Sequence, residues 1–146
     1  MIQIGIKKLF PDVTLPAKQT AGSAGLDIEA YCPGDVVINP GQCILVPTGM
    51  IFEIPDGYDI EIRPRSGLST KNLLLLPNSP GTVDADYRGE VKVALFNLSP
   101  LAFTVTHKMR IAQLILRKNL EFSWQEKNEL DKSHGRGEGG FGSTGF

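Results

Sequence analysis

The chain is poor in cysteine. Two in 146 residues, Cys32 and Cys43, with no CxxC pair and no paired histidines nearby, suggest neither a disulfide framework, a zinc site nor a redox dithiol. Both are expected to act as small core hydrophobes. No stretch approaches the ~20 apolar residues of a membrane span, and no basic region followed by an apolar run opens the chain. The expectation is a soluble intracellular protein of the cytoplasm. Charge of one sign is also lacking: the net charge is −1 and the pI about 6.1, so there is no basic footprint for long nucleic acid held by its phosphates. A single nucleotide remains open as a ligand. His107, His134 and Trp124 are isolated and receive no role beyond packing or solvent contact. Gly137 to Thr144, GEGGFGST, has P-loop spacing but Ser143 where the lysine must stand and no room for the following helix, which excludes a Walker site.

Helical periodicity is missing almost everywhere, and short alternating or apolar runs punctuated by Pro and Gly take its place. Ile2 to Ile6, Val36 to Ile38, Cys43 to Val46, Ile51 to Ile54, Tyr58 to Ile62, Val91 to Asn97, Ala102 to Val105 and Ile111 to Leu116 read as strands. Such a succession predicts an all-β, jelly-roll-like antiparallel sandwich or barrel. One short helix is expected over Gly67 to Asn72, with Ser66 as its cap. After about residue 120 the β pattern stops, Lys and Glu increase, and Gly135 to Gly145 is glycine-rich. The chain therefore divides into a folded domain, 1–120, and a flexible C-terminal arm, 121–146.

The chain is organised around Leu73 to Glu90, LLLLPNSPGTVDADYRGE, read as an active-site hairpin. Leu73 to Leu76 form a buried strand, Pro77 to Gly81 turn, and Val91, Val93 and Leu95 return with period 2. Asp84, Asp86, Tyr87, Arg88 and Glu90 crowd into seven positions, which on charge alone fits a solvated hairpin end as well as a site. Elsewhere, Asp27 sits between Leu26 and Ile28 and reads as a solvated strand position. Arg63 and Arg65 flank a proline and run into Ser66 and Gly67, where two guanidiniums and helix N–H groups could cradle phosphate. Gln113, among core residues of MRIAQLIL, needs a hydrogen-bond partner.

Taken together, AGLDIEA, RPRSGLS, PGTVDADYRGE, RIAQLIL and RGEGGFGSTG resemble, in order and spacing, the five motifs of the homotrimeric deoxyuridine triphosphate nucleotidohydrolases, the dUTPases. The resemblance spans Ala24 to Gly145. It implies a jelly-roll-like trimer that hydrolyses dUTP to dUMP and diphosphate with Mg2+, limiting uracil in DNA and supplying dUMP for thymidylate synthesis. Ser79, the loosely matching stretch Thr70 to Asn72 and the nearby chain end at Phe146 depart from the family pattern, and none of them has a chemical role.

Position by position, the resemblance makes Asp84 the base that takes a proton from the water attacking the α-phosphorus, a task suited to a carboxylate. Asp27 would hold magnesium through its water shell. Arg65, Ser66 and Gly67 would cradle phosphate, and Gln113 would bond the α-phosphate or the site water. Asn78, Thr82 and Val83 match positions that read uracil, and Lys92 a substrate-near position expected to act through its main chain. Tyr87 resembles the residue whose ring packs on deoxyribose and excludes a ribose 2′-hydroxyl. In the arm, Phe141 would stack on uracil, while Arg136, Gly142, Ser143 and Thr144 would close over the phosphates. Asp86, Arg88 and Glu90 are read as structural. The resemblance further implies sites shared between subunits, each taking the cradle from one chain, the Asp84 hairpin from a second and the arm from a third. Two rival readings are a deoxycytidine triphosphate deaminase of the same fold and a non-catalytic regulatory trimer; the TVDADY run and the intact tail favour dUTP hydrolysis over both.

Overall fold

A computed structural model describes residues 1–131. Arg136, Phe141, Gly142, Ser143 and Thr144 lie outside the described residues. The elements are β1 (Gly5–Lys8), β2 (Leu26–Glu29), β3 (Val36–Ile38), β4 (Cys43–Pro47), β5 (Met50–Glu53), β6 (Tyr58–Arg63), α1 (Ser66–Asn72), β7 (Leu74–Leu75), β8 (Gly81–Val83), β9 (Lys92–Asn97), β10 (Phe103–Val105) and β11 (Arg110–Lys118). All strand pairs are antiparallel. A four-stranded sheet runs β2-β11-β6-β8, a three-stranded sheet β4-β9-β7, and two ribbons pair β1 with β5 and β10 with β3. Among the described residues no helix is long and apolar enough to cross a membrane.

Alternation along the strands builds the core. On β9, Val93, Leu95 and Asn97 point inward while Lys92 is exposed. Ile28, Ile60, Ile62 and Leu114 from the four-stranded sheet join Val46, Leu74, Val93 and Leu95 from the three-stranded one in a single apolar cluster. At about 1.5–3 kcal/mol for each such side chain buried, the cluster holds the layers without a disulfide. Buried Asn97 ties β9 to the β3-β10 ribbon: its Nδ2 donates to the carbonyls of Ile38 and Leu101, both at 2.8 Å, and its Oδ1 accepts from Ser99 N–H and Oγ. Nothing in the sequence singled it out.

Several expectations shift. The first strand is Gly5–Lys8 rather than Ile2 to Ile6, because its partner offers only Met50–Glu53. Cys32 is buried, but Cys43 is exposed, since β4 turns Ile44 and Val46 inward and Cys43 and Leu45 outward. Leu73 is not in a strand. It closes α1 in the left-handed region, at φ 53°, and is exposed. The cap of α1 also moves: Arg65 occupies the N-cap position without a side-chain capping bond, and Ser66 is already helical. The hairpin is more divided than the sequence suggested. β7 does pair with β9, Leu74 opposite Asn97, but Gly81–Val83 between them leaves that sheet and pairs with β6.

Candidate active site

The excursion of β8 creates one of the two cavities in which the candidate residues gather. Lying at the end of the four-stranded sheet, β8 pairs one backbone edge with β6 and, among the described residues, has no strand on the other. A cavity of about 400 Å³ opens there, lined by Asn78, Gly81, Thr82, Val83, Asp84, Tyr87 and Lys92, together with Leu45, Ile62, Glu90 and Val91. A Cβ at Gly81 would lie 2.9 Å from Asn78 Nδ2, so the missing side chain is what admits the amide against the strand. Asp84 is exposed at the wall, and its carbonyl accepts from the Tyr87 N–H at 3.2 Å, which turns the chain back on itself. Tyr87 then lies over Gly89, its hydroxyl donating to the Glu90 carbonyl at 3.0 Å.

The charged neighbours of Tyr87 are tied to backbone. Arg88 donates to the carbonyls of Ala85 and Tyr87, and Glu90 Oε1 accepts the Gly49 N–H at 2.9 Å. The expected structural use of these two residues corresponds to these contacts; Asp86 is exposed.

A second cavity, of about 440 Å³, is lined by Asp27, Arg65, Ser66, Gly67 and Gln113, with Gln19, Leu68, Lys71 and Asn72. It shares no lining residue with the first. Gln113 stands at the centre of the construction, opposite Asp27 on β2 and Arg63 on β6. Its Nε2 donates to the Pro64 carbonyl at 2.9 Å, the structural partner its half-buried amide required. A Cβ at Gly25 would come within 2.4 Å of Gln113 Oε1, so Gly25 keeps that oxygen's space open.

Asp27 is not the solvated position its alternation suggested. Its side chain is 13% exposed and lies 3.2 Å from Arg65 Nε and 3.3 Å from Arg110 Nη1. A bulge explains how Arg110 arrives: β11 advances from Arg110 to Ala112 while β2 advances only from Glu29 to Ile28. In a regular strand Arg110 and Gln113, three positions apart, would point to opposite faces; the bulge at Ile111 turns both toward Asp27. Gln19 joins by accepting from Arg110 Nη1 at 2.6 Å. Arg65 also donates to the Arg110 carbonyl at 3.0 Å, which fixes its guanidinium at the cavity rim.

Arg63, paired with Arg65 in the sequence reading, turns elsewhere. It donates to buried Glu61 at 2.7 Å, and Arg117 donates to the other carboxylate oxygen. These guanidiniums, Arg117 foremost, hold the Glu61 carboxyl below its usual range against the opposing effect of burial. The anion cradle therefore has one of the two expected arginines. Gln19, Lys71, Glu90 and Leu45 line the cavities without having been singled out as site residues, and only contacts through space identify them.

Among the described residues no group of three or more His, Cys, Asp or Glu side chains could form a metal cage. Asp27 is the carboxylate of the cradle. A single hard oxygen donor fits only a magnesium ion that keeps most of its own water.

An antiparallel β domain with a cavity of about 400 Å³ at a sheet edge and a separate cavity lined by Arg65 has the room and the charge to take a nucleotide. A sequence model of the dUTPase family matches residues 12–145, and the chain belongs to that family. It is 49% identical over 144 residues to the deoxyuridine 5'-triphosphate nucleotidohydrolase of Leptospira interrogans, covering 99% of both chains. The corresponding protein of Roseobacter denitrificans is 51% identical over 134 residues, 91% of this chain and 88% of its own. Among solved structures, a point mutant of the Staphylococcus bacteriophage 80alpha dUTPase with dUpNHpp superimposes with a TM-score of 0.87 at 23% identity, covering 99% of each chain. This likeness establishes the jelly-roll-like fold expected from the strand pattern.

Proposed function

We propose that the protein hydrolyses dUTP to dUMP and diphosphate, with Asp84 as general base and magnesium as the metal. Membership of the dUTPase family supports the reaction. The observation that supports the assignment of roles is the sorting of the candidate residues into two cavities, one with Asp84 and Tyr87, the other with Asp27, Arg65 and Gln113.

In this reading uracil lies along the unpaired edge of β8. Backbone groups of Gly81 to Val83 and the Asn78 amide match its N3 donor and O4 acceptor, a pattern that cytosine inverts. Lys92 closes the far wall, and the Tyr87 ring packs on the deoxyribose where a 2′-hydroxyl would need space. Arg65, the N–H groups of Ser66 and Gly67 and the amide of Gln113 hold the phosphates in line. Magnesium, held by Asp27 through water, would neutralise phosphate charge. Asp84 takes the proton from a water whose oxygen bonds to the α-phosphorus as the bond to diphosphate breaks. Positioning and charge neutralisation supply the rate acceleration, with no covalent step on the protein.

Because the base and the cradle share no wall, the complete site forms between copies, in a closed trimer whose 1–120 domains are completed by the 121–146 arms. The arm residues Arg136, Phe141, Gly142, Ser143 and Thr144 would close over the nucleotide. Two experiments test this reading. Diphosphate release should be confined to dUTP among dUTP, dCTP, dTTP and UTP, and equal turnover of dCTP or dTTP would remove the base-selection argument. Mixing inactive Asp84→Asn and Arg65→Ala proteins after dissociation should restore about a quarter of wild-type activity, since every mixed trimer holds one intact site of three. Mixed trimers that stay inactive would place base and cradle in one chain.

A further inference from the structure

The Tyr87 ring is not held by apolar packing; at 46% exposure much of it is in solvent. Its orientation rests on short-range contacts. The hydroxyl donates to the Glu90 carbonyl at 3.0 Å, and the ring lies so close over Gly89 that a Cβ there would meet the hydroxyl at 2.4 Å and Cζ at 2.6 Å. The Glu90 carbonyl is itself held from the side of the β4-β5 turn. Glu90 Oε1 accepts the Gly49 N–H at 2.9 Å, and the next residue, Val91, is clamped at both its N–H and its carbonyl. Thr48 Oγ1 donates to the Val91 carbonyl at 2.6 Å, and the Val91 N–H donates to the Met50 carbonyl at 2.9 Å. Thr48 is buried, and Gly49 adopts φ +68° with no room for a Cβ, which would lie 2.7 Å from Val13 Cγ2. The turn thus presents its N–H to Glu90 from a fixed backbone.

We infer that Glu90, hooked onto the Gly49 N–H, is a positioning residue for sugar selectivity, setting the height of the Tyr87 ring, which rests in the space that Gly89 leaves open, beside the cavity. The inference rests on the proposed reading of Tyr87 as the gate against a 2′-hydroxyl. Discrimination by a steric wall depends on where the wall stands, and a hydroxyl is rejected only if the ring cannot retreat. Loss of the Glu90 hook removes the side-chain restraint beside the carbonyl that holds the tyrosine hydroxyl, leaving that peptide tied only through the Val91 N–H to Met50. UTP then gains more than dUTP loses. A purely structural role for Glu90 would instead lower turnover of both nucleotides together and leave their ratio alone.

The test compares E90A, E90Q and Y87A with wild type on dUTP and UTP. E90Q keeps an oxygen acceptor for the Gly49 N–H, so it should hold the dUTP/UTP ratio of kcat/KM within about twofold, whereas E90A should lower that ratio about tenfold, mostly through improved UTP turnover. Tyrosine ring resonances, with the Tyr87 signals identified by their loss in Y87A, should shift in E90A and return in E90Q. If Y87A relaxes the ratio and E90A does not, the positioning role is overturned while the gate stands. An unchanged ratio in Y87A would overturn the gate and this inference together, and the Y87A result marks that case. An E90Q protein as relaxed as E90A would show that charge, not the Gly49 bond, is what matters, and would also overturn the hook.

Discussion

Around the Asp84 cavity the backbone holds the side chains: Tyr87 on the Glu90 carbonyl, Glu90 on the Gly49 N–H, Asn78 in the space left by Gly81. Around the Asp27 cavity, charges hold charges, with Arg65 and Arg110 on one carboxylate and Gln19 on Arg110. The difference teaches that the two halves can discriminate different things. In the proposed reading, a cavity shaped by backbone and a ring edge would distinguish nucleosides by size and donor pattern. In the same reading the Arg65 cradle would bind phosphate on any nucleoside, and Arg65 is already oriented by its ion pair with Asp27.

Breaking the comparison at its centre gives the largest effect. Asp84→Asn should lower kcat for dUTP about 10³-fold with little change in KM, because the amide still bonds water but cannot take its proton. A near-wild-type kcat would remove Asp84 as base. Next, Arg65→Ala should lower kcat/KM about 10²-fold for dUTP and, equally, for residual UTP turnover, since both present the same triphosphate. A large change in the dUTP/UTP ratio would mean that the cradle also reads the sugar, and the division between the two cavities would fail. Tyr87→Ala should do the reverse, lowering the ratio about tenfold with a smaller loss on dUTP itself.

The smallest effect concerns stability rather than turnover. Glu61 has its folded pKa held below the ordinary value of 4.5, so its contribution is fully present above that value and is lost as pH falls through the lowered folded one. Glu61→Gln should therefore lower Tm at neutral pH, and the gap to wild type should close in acid. A gap that widened on acidification would reverse the sign and exclude Glu61 as the source.

The alternation of apolar residues made most strands readable, and five motifs in order made the family readable before any contact was known. What stayed hidden depended on geometry between strands. Val91 to Asn97 announces a strand, yet nothing in it says that Asn97 would be buried and bond across to Ile38 and Leu101. Arg63 and Arg65 look equivalent in RPRS; only the sheet reveals that one serves Glu61 and the other Asp27. Asp27 looked solvated because a period-2 argument cannot see a bulge on the neighbouring strand. Gly81–Val83 was hidden by its surroundings, since a three-residue strand among turn residues has too little length to show a period.

The bulge at Ile111 has a consequence for quality as well as for shape. Gln113 faces the Asp27 cavity only when it lies opposite Asp27 and Arg63 at once, and Arg110 shares that face only because the extra residue, Ile111, stands between them. A chain paired one step out of register would present Ala112 or Leu114 to the cradle and turn both polar groups into the core. Such a chain would be inert rather than slow. If the cradle is part of the site, specific activity in a preparation would count the molecules whose central strand has locked in the right register, and the cradle would report on its own folding.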